Sequence, residues 1–321
     1  PTIAFYKDSL IFFDKNGSIL NFDNFSKLIW KKNYYTKLEK KLSPILNFSI
    51  KNKILIVTDN LSKYYAISIE SGEILWSKNH NSIFISEIKI DRNQFYTIDS
   101  NGILNCFSLL DGSKIWEFDT DFELIKSQKK LSIVIDKEKI YFNNSKGDLY
   151  SLNKKNGNLI WLTPMRDPNE IFQTFLLKTS QLVIKDNNLF LSNNHNAFYS
   201  IDKNSGLINW SQDINSELKP IIVGNLIFTI STDGYLFIVD RKAGNIIRVT
   251  DIYAGIKKKK RDKILPTGFI LDKEKIYLSL NNGKILRIDI KTGKTQSILK
   301  ISRKKISEPF INKKYMYIIK N

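Results

Sequence analysis

Short runs of alternating apolar and polar residues, each ending at a turn signal, fill this chain almost from end to end. Ser9-Leu10-Ile11-Phe12-Phe13 and Ile19-Leu20-Asn21-Phe22 flank Asn16-Gly17, and Gln94-Phe95-Tyr96-Thr97-Ile98 and Ile103-Leu104-Asn105-Cys106-Phe107 flank Asn101-Gly102. Lys139-Ile140-Tyr141-Phe142 precedes Lys146-Gly147, Leu226-Ile227-Phe228-Thr229 precedes Asp233-Gly234, and Lys275-Ile276-Tyr277-Leu278 precedes Asn282-Gly283. A period of two in β-branched and aromatic residues marks strands, and no segment sustains a long helical period. Asn-Gly and Asp-Gly accept positive φ, which suits the twist of a tight hairpin, so an inner hairpin is predicted in each unit. Asn60-Leu61-Ser62-Lys63 and Asn194-His195-Asn196-Ala197 stand where two of these glycine turns are due, and asparagine's tolerance of the left-handed region keeps a turn there.

A second turn recurs downstream of each hairpin: Ser71-Gly72-Glu73-Ile74-Leu75-Trp76, Asp111-Gly112-Ser113-Lys114-Ile115-Trp116, Asn156-Gly157-Asn158-Leu159-Ile160-Trp161 and Ser205-Gly206-Leu207-Ile208-Asn209-Trp210. A first copy closes on Trp30, with Ser26 in the glycine position, and two later copies keep Gly244 and Gly293 but end in Arg248 and Ser297. The closing positions lie 46, 40, 45, 49, 38 and 49 residues apart, the length of one four-stranded blade. The chain is therefore predicted to be all-β, a propeller of four-stranded antiparallel blades forming a single domain over residues 1–321, with eight blades expected and seven the alternative. The eighth unit starts at Ser307-Glu308-Pro309-Phe310 and reaches Asn321 before its turn glycine. An exposed sheet edge is a liability, so either the chain is cut from a longer one or residues near Pro1 complete that blade.

Composition changes this picture little. The formal net charge is +18, from Lys+Arg 50 against Asp+Glu 32, but the lysines spread over every repeat beside equally abundant Asn and Ile, the pattern of an AT-rich genome. A nucleic-acid footprint should cluster on one face, and none is expected. The densest run, Lys257-Lys258-Lys259-Lys260-Arg261, is read as a solvated loop, with an acidic partner or an anionic lipid surface as alternatives. Cys106 is the only cysteine, so no internal disulfide or multi-cysteine metal site is open to the chain, and a buried structural thiol is expected. His80 and His195, the only histidines, sit beside asparagines and are read as exposed loop positions. No Gly-rich phosphate loop, His-x-x-x-His or Cys-x-x-Cys spacing is present. No catalytic, cofactor-binding or metal-ligating residue is expected.

The phrase Leu149-Tyr150-Ser151-Leu152 leading to Gly157 and Trp161, with its echo from Phe198-Tyr199-Ser200-Ile201-Asp202 to Trp210, resembles the repeat of pyrroloquinoline-quinone-type propellers. Asp202, Asp240 and Asp289 hold that repeat's aspartate position, and Ser68, Ser108 and Asn153 replace it. Within that superfamily the chain is similar in size and makeup to the BamB-like lipoproteins. The resemblance implies a monomeric, non-enzymatic periplasmic scaffold that helps insert β-barrel proteins into the outer membrane, without cofactor or nucleic acid. Its implied partner is the barrel-assembly protein, engaged through periplasmic repeats, and its implied membrane association runs through an anchor outside this sequence. The alternatives are a ligand-binding propeller or a quinone-dependent dehydrogenase. The latter needs Ca²⁺ ligands and, in many members, a vicinal cysteine pair that one cysteine cannot supply; the repeat aspartates read better as turn hydrogen-bonders.

A scaffold acts through its connections. Those from Asn33 to Phe48, Thr163 to Ser180 and Tyr253 to Phe269 exceed the minimum. The second is the candidate partner-binding connection, where Met165, Arg166 and Asp167 offer an apolar contact, a bidentate donor and a carboxylate, and the resemblance likewise implies a surface there and near Leu124, Ile125 and Lys126. Trp30, Trp76, Trp116, Trp161 and Trp210, with Gly72, Gly112, Gly157, Gly206, Gly244 and Gly293, are assigned to holding the repeats together.

Overall fold

The computed structural model describes residues 3–120, 129–165, 177–313 and 315–320. It contains seven four-stranded antiparallel sheets and one two-stranded sheet, each a meander in which consecutive strands pair. Sheet 1 is built from Ala4–Tyr6, Ser9–Phe13, Ile19–Phe22 and Leu28–Lys32. Sheets 2 to 7 occupy residues 46–79, 89–119, 133–163, 183–212, 221–251 and 266–300, and sheet 8 pairs Phe310–Asn312 with Tyr315–Tyr317. The eighth repeat thus exists in part. Sheets 1 to 4 lie in one compact unit, residues 1–175, and sheets 5 to 8 in a second, residues 176–321.

The middle strands of sheets 2 to 7 carry most of the buried positions, as in Ile54–Asp59 and Lys63–Ser68, whereas a closing strand such as Ile74–Asn79 is largely exposed. Apolar side chains from successive sheets merge into shared cores: Ile11, Ile19 and Trp30 pack with Leu46, Leu55 and Val57, and Phe228 and Leu236 with Ile276 and Leu286. The inner hairpins turn where predicted. Gly17, Gly102, Gly147, Gly234 and Gly283 have φ of 75°, 82°, 90°, 92° and 78°, and in the two divergent hairpins Ser62 (65°) and Asn196 (57°) occupy the same left-handed slot.

The Gly-x-x-x-Trp turn works between sheets. Trp30 of sheet 1 donates its indole Nε1–H to Ile69 O of sheet 2 at 2.8 Å, Trp76 to Leu109 O of sheet 3 at 3.1 Å, and Trp210 to Arg241 O of sheet 6 at 3.2 Å. Each acceptor lies three residues before the turn glycine of its own sheet, and the ring covers that glycine. A Cβ built on Gly112 would stand 2.6 Å from Trp76 Cζ3, one on Gly157 2.7 Å from Trp116 Cε3, and one on Gly244 2.6 Å from Trp210 Cδ2. Glycine is required twice over here, by its positive φ and by the aromatic plane against its Cα. Arg248, which replaces a tryptophan, sends Nη2 to Ile290 O at 2.5 Å and Nη1 to Lys291 O. The cation keeps the donor role that the lost indole performed.

Side-chain size across the closing strand follows the ring. All seven four-stranded sheets shift register just after the residue paired with the closing position. Opposite the five tryptophans that residue is Asn21, Ala66, Cys106, Ser151 or Ser200. Opposite Arg248 and Ser297 it is Ile238 and Arg287. Directly opposed side chains on one sheet face compete for the same space, so a large ring selects a small partner. Cys106 belongs to this set: it is a free, fully buried thiol, and burial pushes its ionisation up to about 12.

Two stability predictions result. Gly112→Ala, forced to φ +68° against Trp76, should lose about 1–2 kcal/mol from the left-handed backbone alone, whereas Ser62→Gly should gain about 0.5–1 kcal/mol, as thermal unfolding will report. Arg248→Trp should be destabilising beside Ile238, and adding Ile238→Ala should recover at least half of the lost unfolding midpoint; a stable single variant would refute the size rule.

Candidate partner-binding surface

Each sheet has two unlike ends. At one end the turn joining its first two strands is bonded to the glycine turn: Ile69 N–H to Lys53 O (2.9 Å), Leu109 to Asn93 (2.8 Å), Lys154 to Glu138 (2.8 Å), Lys203 to Asn187 (2.9 Å), Arg241 to Asn225 (2.9 Å) and Ile290 to Glu274 (3.0 Å). This end consists of short turns. At the other end the inner hairpin meets the connections between sheets: Ser100 N–H donates to Ile83 O (2.7 Å), Thr232 to Asn215 O (2.9 Å) and Asn281 to Leu265 O (2.9 Å). The connections from Asn33 to Phe48 and from Tyr253 to Phe269 belong to this connection end, where chain length varies without disturbing the sheets.

The hairpins there are capped by a side chain three residues before the left-handed residue. Asp59 Oδ1 accepts from Leu61 N and Lys63 N, both at 2.8 Å, Asp99 Oδ1 from Asn101 N (2.9 Å) and Ile103 N (3.2 Å), and Asn193 Oδ1 from His195 N (2.9 Å) and Ala197 N (3.2 Å). Two of these carboxylates reach back to the preceding connection. Tyr35 Oη donates to Asp59 Oδ2 at 2.5 Å, and His80 Nε2 meets Asp99 Oδ2 at 2.8 Å. Burial pushes the Asp59 carboxyl above the ordinary range, and burial together with the neighbouring Tyr65 and Asp59 pushes the Tyr35 phenol up. At Asp99 burial also raises, but hydrogen bonds from His80, Asn101, Ile103 and Asn105 outweigh it and the carboxyl falls below its usual value.

This corrects the reading of His80 as an exposed loop residue. Its side chain is 11% exposed, stacks on Phe84 at 5.0 Å, and joins sheet 2's exit to sheet 3's hairpin. His195 remains a half-buried hairpin residue. The repeat aspartates do what the turn reading expects at the opposite end: Asp202 Oδ1 accepts from Asn204 N and Ser205 N, Asp240 Oδ1 from Lys242 N and Ala243 N, and Asp289 Oδ1 from Thr292 N.

Of the six residues expected to bind a partner, Met165 is placed: it leaves the closing strand of sheet 4 half-buried, with its N–H on Asp148 Oδ1 at 3.1 Å, beside that sheet's inner hairpin. Leu124, Ile125, Lys126, Arg166 and Asp167 lie outside the described residues. Sequence reasoning missed the two helices present among the described residues, which occupy the other two long connections. Lys37–Lys41 starts in a capping box in which Thr36 and Glu39 bond each other's backbone, and Lys258–Arg261 is tied down by Arg261, through Nη1 to Asp251 at 2.8 Å and Nε to Ile256 O at 3.0 Å. The Ser/Thr-x-x-Glu signature at Thr36 was the readable signal for the first.

Sheets of this kind, repeated and laced by tryptophan over glycine, define a β-propeller of the quinoprotein type. The chain belongs to the family described as outer membrane protein assembly factor BamB, whose model matches residues 15–250. No protein of curated function matches it in sequence. Among solved structures it is similar to BamB from Moraxella catarrhalis, with a TM-score of 0.83 at 14% identity over 99% of this chain and 92% of that one. It is also similar to Sqt1 from Saccharomyces cerevisiae (TM-score 0.73, 13% identity, 98% and 90% covered) and to a europium-containing methanol dehydrogenase (TM-score 0.71, 10% identity, 96% and 79% covered). At these identities the structural likeness establishes the fold, which serves unlike functions.

Asp99→Asn tests the buried latch. Asn193 shows that an amide can cap this hairpin, so the variant should fold, but at pH 7 it should lose about 1–2 kcal/mol with the charge-assisted bond to His80. Because the folded carboxyl is held below its unfolded value of 3.8, its contribution is present above that pH and disappears as pH falls through the folded value. The stability gap between wild type and variant should therefore close in acid; a gap independent of pH would overturn the assignment.

Proposed function

We propose that this protein is a non-enzymatic scaffold of the bacterial periplasm that assists assembly and insertion of β-barrel proteins into the outer membrane, working as a single propeller. The observation that carries this reading is the family match over residues 15–250. The arrangement of side chains supports it. The aspartates of the repeat are engaged in turns, Cys106 is sealed opposite Trp116, and His80 is locked to Asp99, so the residues able to do bond chemistry are occupied in holding sheets and turns. The connection end, by contrast, carries long segments whose sequence is free to suit a partner.

The partner is a barrel-assembly protein, contacted through its periplasmic repeats, and the Met165 connection with Arg166 and Asp167 supplies part of the contact. Such a surface combines an apolar contact with a bidentate donor and a carboxylate. Titration of the purified chain with the purified periplasmic repeats of the barrel-assembly protein from the same source tests this. Saturable binding, weakened about tenfold or more by Arg166→Glu at an unchanged unfolding midpoint, is expected from loss of a charge-assisted contact. Absence of binding would overturn the partner, and binding indifferent to Arg166→Glu would move the contact away from this connection.

A further inference from the structure

The connection from sheet 1 to sheet 2 has a composition that the scaffold reading does not use. Leu38, Leu42 and Ile45 are 75%, 62% and 54% exposed, three large apolar side chains within one connection. Leu38 and Leu42 are four residues apart across the helix Lys37–Lys41, the spacing that puts two side chains on one face. Lys37, Lys40 and Lys41 flank them and form no ion pair among the described residues. The segment's one carboxylate, Glu39, is drawn inward: its Oε2 accepts from Thr36 N (2.8 Å) and its Oε1 meets Lys63 Nζ (2.5 Å), a bond that lowers its pKa to about 2. The outward surface is therefore apolar and cationic, with its acid turned to the protein.

We propose that this connection docks on an anionic lipid bilayer, with the leucines entering the boundary between headgroups and acyl chains and the lysine ammoniums meeting headgroup phosphates. Charge complementarity favours lipid over a protein groove. A single helical turn offers too few anchors to specify a groove, whereas a bilayer asks only for exposed apolar side chains within reach of cations. The capping box holds this geometry before any membrane is met, and the bond of Pro44's neighbour Ile45 N–H to Asn60 Oδ1 at 2.7 Å fixes the far end. The basic connection of the second unit is a weaker candidate: its exposed large apolar side chain is Leu265, at 50%, and Arg261 is held by Asp251. This inference does not depend on the identity of the protein partner.

Flotation of the full chain with vesicles of phosphatidylglycerol and phosphatidylethanolamine, against vesicles of phosphatidylcholine alone, tests it. The expected result is association with the anionic vesicles at least about tenfold above the neutral ones, falling roughly a hundredfold in Lys37→Glu/Lys40→Glu/Lys41→Glu. Leu38→Ser/Leu42→Ser, which leaves every charge in place, should lower association about tenfold or more. Both variants change exposed or half-exposed side chains, and an unchanged circular dichroism melt checks the fold; if the lysine variant fails to fold, the leucine variant decides. Equal association with both vesicle types, or an effect of neither variant, would overturn the proposal. Retention by immobilised polyglutamate without vesicle binding would also overturn it and assign the patch to an acidic protein segment.

Discussion

The rest of this structure depends on an aromatic ring lying flat against a glycine in the next sheet. A four-stranded antiparallel sheet alone exposes two faces and buries too little, so stability has to come from contact between sheets. The tryptophan–glycine contact sets that distance and angle by two independent requirements. The indole N–H reaches the carbonyl three residues before the glycine, as Trp30 reaches Ile69 and Trp76 reaches Leu109, although Trp116 covers Gly157 with its N–H buried and unbonded, and the ring must lie where no Cβ intrudes. One fixes position along the strand and the other fixes the gap. Where the ring is lost, Arg248 shows which requirement persists, because the arginine still delivers donors to Ile290 and Lys291 while Gly293 packs instead against Thr250.

At the connection end the same problem is solved with polar groups. Tyr35 and Asp59 join sheets 1 and 2, and His80 and Asp99 join sheets 2 and 3. A carboxylate that already caps its hairpin is anchored by two backbone N–H groups, so its second oxygen is a fixed target for a donor from the neighbouring connection. Between sheets 3 and 4 the job passes to Glu87, whose Oε1 accepts from Ser132 Oγ and Ile133 N, both at 3.1 Å. Hydrogen-bonded latches tolerate exchange of one donor for another in a way that a packed ring does not, which fits their variety here.

That difference explains what could be read in advance. Trp and Gly at fixed spacing are rare residues doing one job, so the four-stranded sheets and their two turns were legible. The latches were not, because donor and acceptor come from different repeats and the donor's identity changes from Tyr to His. The acceptor left a weaker trace: Asp14, Asp59, Asp99, Asn144 and Asn193 each lie three residues before a left-handed Gly17, Ser62, Gly102, Gly147 or Asn196. The two helices escaped notice because four or five residues are too few to show a period. The candidate contact residues were named from connection length, side-chain chemistry and family resemblance, since a solvated loop leaves no periodic signal.

A division of labour between the two ends follows from these constraints. The turn end is tightly determined, because the glycine turns are bonded to their own first hairpins and Gly72, Gly112, Gly157 and Gly244 are covered by a neighbour's ring, so an insertion there would break a contact between sheets. The connection end is held at its hairpins alone, so the chain between one closing strand and the next opening strand can lengthen, acquire a helical turn or expose leucine and lysine at little cost to the sheets. Specificity for partner or surface can therefore diverge in those segments while the repeat stays intact, and a chain 14% identical to a solved BamB can keep its fold over 99% of its length. On that argument function should be sought in the few residues of each connection that no sheet requires, and the repeat residues, however prominent in the sequence, are the frame that presents them.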